Sequence, residues 1–114
     1  MSDCIFCKIV AAEIKADIVF ENERLLAFHD VRPRAPVHVL IIPKRHIATL
    51  DDLSGDDCLL AGELVLAAQK VARHTDIAEK GFRTVINCRA DAGQEVFHLH
   101  LHVMGGRHLH WPPG

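Results

Sequence analysis

No apolar run in this chain is long enough to cross a bilayer. The longest, "LLAGELVLAA", is broken by Glu63 and falls well short of the ~20 residues a spanning helix needs. Charge of one sign is lacking too: 13 Lys and Arg face 15 Asp and Glu, a formal net charge of -2. That balance argues against nucleic acid or an anionic membrane as the main partner. With aromatics at only 5%, no basic stripe with interleaved rings is present. The opening "MSDCIFCKIV" has no charged leader followed by an apolar stretch and a cleavage site, so a cytoplasmic protein is expected. In that compartment the four cysteines, Cys4, Cys7, Cys58 and Cys88, read as thiols or metal ligands before disulfides. Internal repeats and low-complexity segments are absent.

What is present is a globular composition, with 49% hydrophobic and 25% charged residues over 114 positions. This is one ordinary domain, residues 1–114, with 107–114 as a C-terminal tail. Residues 4 to 12 predict a short helix capped by Asp3 or Ser2. "DIVFE" (17–21) and "RLLAFH" (24–29) predict strands joined at Asn22, and "VHVLII" (37–42) a third between Pro36 and Pro43. Residues 55 to 74 predict a long helix: Ser54 caps it, Asp56 and Asp57 fill its first turn, and Leu60, Leu64, Ala67, Ala68 and Val71 recur on one face. "FRTVIN" (82–87) and "VFHLHLHVM" (96–104) complete five strands. The expected class is α+β, a mostly antiparallel five-stranded sheet with one long and one short helix.

The last strand poses the chemical question, because His98, His100 and His102 alternate with apolar residues. On a strand the three imidazoles would share one face, and Phe97, Leu99, Leu101 and Val103 the core face. A merely solvated face would be served as well by Lys, Glu or Thr. One metal bound by all three also fails: at ~3.3 Å per residue the outer two Cα atoms stand roughly 13 Å apart, whereas zinc needs its nitrogens ~2 Å from one point. A nucleophile with flanking helpers remains. Neutral imidazole attacks phosphorus near pH 7, and Gly93 in the preceding "DAGQE" lets backbone N–H groups approach a phosphate.

The Cys4–Cys7 pair, "CIFC", has the spacing of a zinc site but equally suits two buried small hydrophobes or a redox pair. The redox option is weakened because the pair does not end a strand of a βαβ unit. Asp30, taken alone, reads as a turn residue before "RPRAP".

"HLHLHVM" fits the signature of the histidine triad superfamily. Together with "CIFCKIV", "LAFHDVRPRAPVHVLIIPKRHI", "GFRTVIN", "AGQEVFHLHLHVMGGR" and "HWPPG", the chain resembles its Hint branch, the purine nucleoside phosphoramidases, nearly end to end. The resemblance implies that fold, and an adenosine 5'-monophosphoramidase-type hydrolase releasing AMP or GMP. His100 would be the nucleophile. His102 and the backbone of Gln94 and Glu95 would hold phosphate oxygens, with Gly93 in the same loop and Asn87 fixing the phosphate end. His38 and His98 would complete the histidine cluster. Asp30 would bind ribose within the pocket segment Phe28, His29, Asp30, Val31. Zinc would be held by Cys4, Cys7, His46 and His98 as a structural ion, with no catalytic cofactor. The chain would form a homodimer, with Trp111 of the tail approaching the partner's site. Glu95 departs from the serine of animal members, which puts leaving-group handling in question. Two alternatives stand beside this reading: a dinucleoside polyphosphate hydrolase, against which "HWPP" argues, and a nucleotide-binding adaptor with vestigial catalysis, against which the intact triad argues.

Overall fold

Two segments, "LLAFH" and "VHVLIIP", are apolar at nearly every position, which suits strands covered on both faces. In the computed structural model, which describes residues 3–114, they are β2 (Leu25–His29) and β3 (Val37–Pro43), paired antiparallel from Leu25↔Pro43 to His29↔Val39. Their side chains alternate between two clusters. Leu25, Ala27, Val39 and Ile41 pack beneath the long helix α2 (Cys58–His74) through Leu64, Ala67, Ala68, Val71 and Ala72. Leu26, Phe28, Leu40 and Ile42 pack on the opposite face with Phe6 of the short helix α1 (Ile5–Val10). The sheet therefore lies between two helices.

The order is β1-β2-β3-β5-β4, every pair antiparallel, with β1 at Ile18–Glu21, β4 at Phe82–Val85 and β5 at Leu101–Gly105. The predicted α+β class, with five antiparallel strands, one long helix and one short one, is the class found. None of the helices is long and apolar enough to cross a membrane among the described residues.

Several boundaries differ from expectation, each for a local reason. Helix α1 is shorter than predicted, and its cap is Cys4, whose Sγ accepts the Cys7 N–H at 3.3 Å. Asp3 does not cap it, and Ser2 lies outside the described residues. Ser54 caps a single 3-10 turn, Gly55–Asp57, that leads into α2, with the Asp57 carboxylate accepting the Ser54 N–H.

The largest departure is at the triad. Strand β5 begins only at Leu101, and residues 96 to 100 run outside the ladder. Phe97 is consequently 48% exposed instead of facing the core, while Leu99, Leu101 and Val103 are buried as expected. The Leu99 N–H turns to the Ile47 carbonyl at 2.6 Å, a bond to a loop that replaces a ladder bond.

Candidate active site

Leaving the ladder lets the three histidines serve two places. His98 is fully buried and turns toward Cys4, Cys7 and His46, and His100 and His102 line a cavity. Phe6 of α1 closes over the pair His98 and His100, with ring centroids 5.9 and 5.2 Å away and nearly perpendicular planes.

Each ring's proton follows from a neighbour that can play only one role. The Pro43 carbonyl can only accept, and it lies 2.8 Å from His98 Nε2, so that nitrogen donates and Nδ1 keeps its lone pair. The His98 carbonyl lies 2.7 Å from His100 Nδ1, which must donate; the His100 lone pair is then on Nε2. At the other end the Arg34 N–H donates to His38 Nδ1 at 3.0 Å. His38 Nε2 therefore carries the proton and donates it to His102 Nδ1 at 2.9 Å, which leaves His102 with its proton on Nε2. That Nε2 is buried and has no partner among the described residues. A buried donor without an acceptor is costly, and an anionic oxygen in the cavity would satisfy it.

Both rings of this relay are neutral at pH 7. Burial, followed by the nearby His100 and His38, pushes the His102 pKa down to about 4. Burial lowers His38 as well, against the pull of Asp30, whose Oδ2 is 3.4 Å from His38 Nε2.

The cavity is about 860 Å³, within the range of small-molecule sites. Part of its wall is apolar: Phe6 and Ile9 pack with Phe28 and Leu40, and Ile5 and Ile14 line it as well. Asn87, Gly93, Glu95, His100 and His102 also line it. His29, Asp30 and the strongly exposed Val31 line it too. Asp30 Oδ1 accepts the Arg32 N–H at 2.9 Å. Gly93 adopts φ +79°, where a side chain would be strained, and open space lies beside it.

Gln94 does not line this cavity. Its amide spans the loop, accepting the Arg89 N–H at 2.7 Å and donating to Ala48 and Val96 carbonyls at 2.9 and 3.0 Å. Its backbone N–H is engaged with the Arg89 carbonyl at 3.1 Å. Its part is therefore to hold the loop in which Arg89 takes φ +69°. Sequence reading missed the whole α1 wall, Ile5 to Ile14, because a short amphipathic helix gives no sign of what lies beneath it.

The second cluster gathers all four expected ligands, with one atom of each within 4.8 Å of the others. Cys4 Sγ and Cys7 Sγ lie 3.4 and 3.6 Å from His98 Nδ1, and His46 Nδ1 lies 3.2 Å from both Cys7 Sγ and His98 Nδ1. Ligand atoms of a tetrahedral zinc set stand roughly 3.3–3.8 Å apart, given bonds of about 2.0–2.3 Å. Burial and the adjacent Cys4 push the Cys7 thiol up, and a bound cation would offset that. The residues fit a metal ion with four ligands from the chain.

Trp111 does not line the cavity and is 80% exposed; the Arg83 guanidinium stands 5.9 Å from its ring and donates to the His110 carbonyl at 2.8 Å.

Known proteins are similar in sequence and in fold. The HIT domain model matches residues 11–109. An uncharacterized HIT-like protein of Synechococcus elongatus is 50% identical over 112 residues, covering 98% of this chain and 97% of its own. The purine nucleoside phosphoramidase of Escherichia coli is 42% identical over 107 residues, covering 94% and 90%. Among solved structures, a HIT family hydrolase from Legionella pneumophila superposes with a TM-score of 0.96 at 50% identity, covering 98% of this chain and all of that one. On its histidine arrangement, its sheet and these matches, the chain belongs to the HIT domain family.

Proposed function

We propose that this protein hydrolyses the P–N bond of purine nucleoside 5'-phosphoramidates, and the related bond of aminoacyl adenylates, through a nucleotidyl-His100 intermediate. One observation carries the reading. The hydrogen bonds leave a lone pair on His100 Nε2 and an unpartnered N–H on His102 Nε2, with ring centroids 5.0 Å apart in the wall of one cavity. A nucleophile beside an oxyanion donor is what phosphoryl transfer requires.

The base rests between the α1 residues and Phe28 and Leu40, and the Asp30 carboxylate receives the ribose hydroxyls. His100 Nε2 attacks phosphorus, and the P–N bond breaks with its electron pair going to nitrogen. The amine leaves after taking a proton from the water of the cavity. Water then attacks phosphorus, the P–Nε2 bond returns its pair to His100, and the nucleoside monophosphate departs as the water's proton passes to solvent. His102 Nε2–H and the Glu95 amide hold the phosphate oxygens, and Asn87 fixes that end. No cofactor enters a step. Cys4, Cys7, His46 and His98 would hold zinc as a structural ion, since four protein ligands leave no open position.

A homodimer completes the reading. The outward face of α2 exposes Leu59, Val65 and Leu66, at 72%, 63% and 58%, and β4 is an edge strand. A second copy would cover both, and the exposed Trp111 would reach the partner's site.

The test is turnover of adenosine 5'-phosphoramidate with AMP as product. Acid-quenched wild type should carry labelled nucleotide on His100, and His100→Ala should lose turnover while still binding AMP. A fully active His100→Ala protein would overturn the mechanism.

A further inference from the structure

The polar wall of the nucleotide cavity has another side. A smaller cavity of about 330 Å³ shares Asp30, Arg32, Asn87, Glu95 and His102 with the first, so the two meet at His102. His100 lines only the larger one. In a displacement at phosphorus the attacking and leaving atoms lie roughly in line. With His100 Nε2 attacking from the larger cavity, the adjoining space that His100 does not line is the candidate exit for the departing group.

The chemistry of that space is unusual for a leaving-group exit. Arg32 and Arg34, both exposed, lie along it and have no carboxylate partner among the described residues. Pro33 between them fixes part of the loop backbone, and Arg107 anchors the loop by donating to the Arg34 carbonyl at 2.8 and 3.3 Å. The opposite sign is present as well. Asp30 is already engaged with the Arg32 N–H and His38, whereas Glu95 makes no ion pair among the described residues. Val85 and Met104 supply an apolar floor.

Building on the P–N hydrolysis above, we propose that the smaller cavity is a subsite for an amino acid leaving group with a free carboxylate. Its carboxylate meets the guanidinium groups of Arg32 and Arg34, for which two-pronged recognition of a planar anion is natural. Its nitrogen, once cleaved from phosphorus and protonated, lies by Glu95, and its aliphatic portion lies on Val85 and Met104. This gives the "RPRAP" loop, otherwise an ordinary turn, a part in choosing the substrate.

The test compares kcat/KM for three adenosine phosphoramidates whose amines are alanine, alanine amide and the aminoethylphosphonate analogue of alanine. Wild type should favour alanine over the amide by about tenfold, the size of one charge-assisted hydrogen bond. In the Arg32→Gln/Arg34→Gln double variant the ratio should fall to about one, and with Arg32→Glu/Arg34→Glu it should invert. Turnover of the amide with a ratio that the arginine changes do not move overturns the subsite and leaves the P–N activity standing. A preference for the phosphonate over alanine overturns the amino acid assignment. Turnover of none of the three overturns both.

Discussion

Replacing His38 with leucine tests the proton relay most directly. His38 is 4% exposed and holds two bonds at once, accepting from the Arg34 N–H at 3.0 Å and donating to His102 Nδ1 at 2.9 Å. Leucine fills a similar volume on the face already occupied by Phe28 and Leu40, so packing is largely kept. Two polar groups lose their partner, each loss being worth about 1–3 kcal/mol if water cannot replace it. Since Arg34 lies at an exposed turn, its N–H regains water, and a net loss of about 1–2 kcal/mol is expected. The catalytic cost is larger. Without the His38 donor, His102 Nδ1 takes up the proton, and a lone pair then faces the phosphate in place of an N–H. Removing one such donor elsewhere costs roughly 10²–10³-fold, and kcat/KM for adenosine phosphoramidate should drop by about 10²-fold. His38→Gln is the control, because its amide can both accept and donate; it should stay within about tenfold of wild type. Nitrogen NMR of labelled histidine should find the His102 proton on Nε2 in wild type and Gln, and on Nδ1 in Leu. A fully active Leu variant, or a Gln variant as poor as Leu, refutes the relay.

Other perturbations reach the rest of the site. Purified protein should hold about one equivalent of zinc per chain, and changing Cys4 and Cys7 to serine should release it, lowering the melting temperature more than the chemical step; metal-free wild type with unchanged stability would return the pair to buried thiols. The His102 pKa of about 4 lies below the unfolded value near 6.5, so between these values the unfolded chain binds the extra proton and stability falls as pH drops. The loss approaches about 3 kcal/mol near pH 4; urea midpoints at pH 7 and 4.5 should differ less in His102→Asn, and equal slopes would contradict the burial argument. Deleting residues 108 to 114 should leave a folded dimer, by sedimentation, whose selectivity between a small and a bulky amine is altered. An unchanged ratio would make Trp111 a packing anchor.

Where periodicity and chemistry coincide, the sequence was a good guide. The apolar runs of β2 and β3 and the stripe Leu64, Ala67, Ala68, Val71 placed those strands and α2 correctly, because burial alone sets those positions. Cys4, Cys7, His46 and His98 could be grouped only through family resemblance, since they come together across 94 residues of chain. The strand expected at 96–104 failed over its first half. Alternation predicts a ladder only when partners are available, and here the Ile47 carbonyl draws Leu99 away. The bracing part of the Gln94 side chain was not legible either: its amide is committed to Ala48, Val96 and Arg89, and no local pattern announces a brace over that distance. The cysteine cap of α1 was missed because Ser, Thr, Asp and Asn are the usual caps.

The link between His98 and His100 has an evolutionary reading. The His100 tautomer is set by the carbonyl of residue 98, not by its side chain. Any amino acid at 98 presents that carbonyl, so the imidazole there is free to serve the thiols without affecting the reactive nitrogen two residues on. A lineage could lose Cys4, Cys7 and His46, fill the space with apolar side chains, and keep the same protonation at His100. The cysteine–histidine cluster and the cavity histidines share a segment of chain, yet they can be inherited separately.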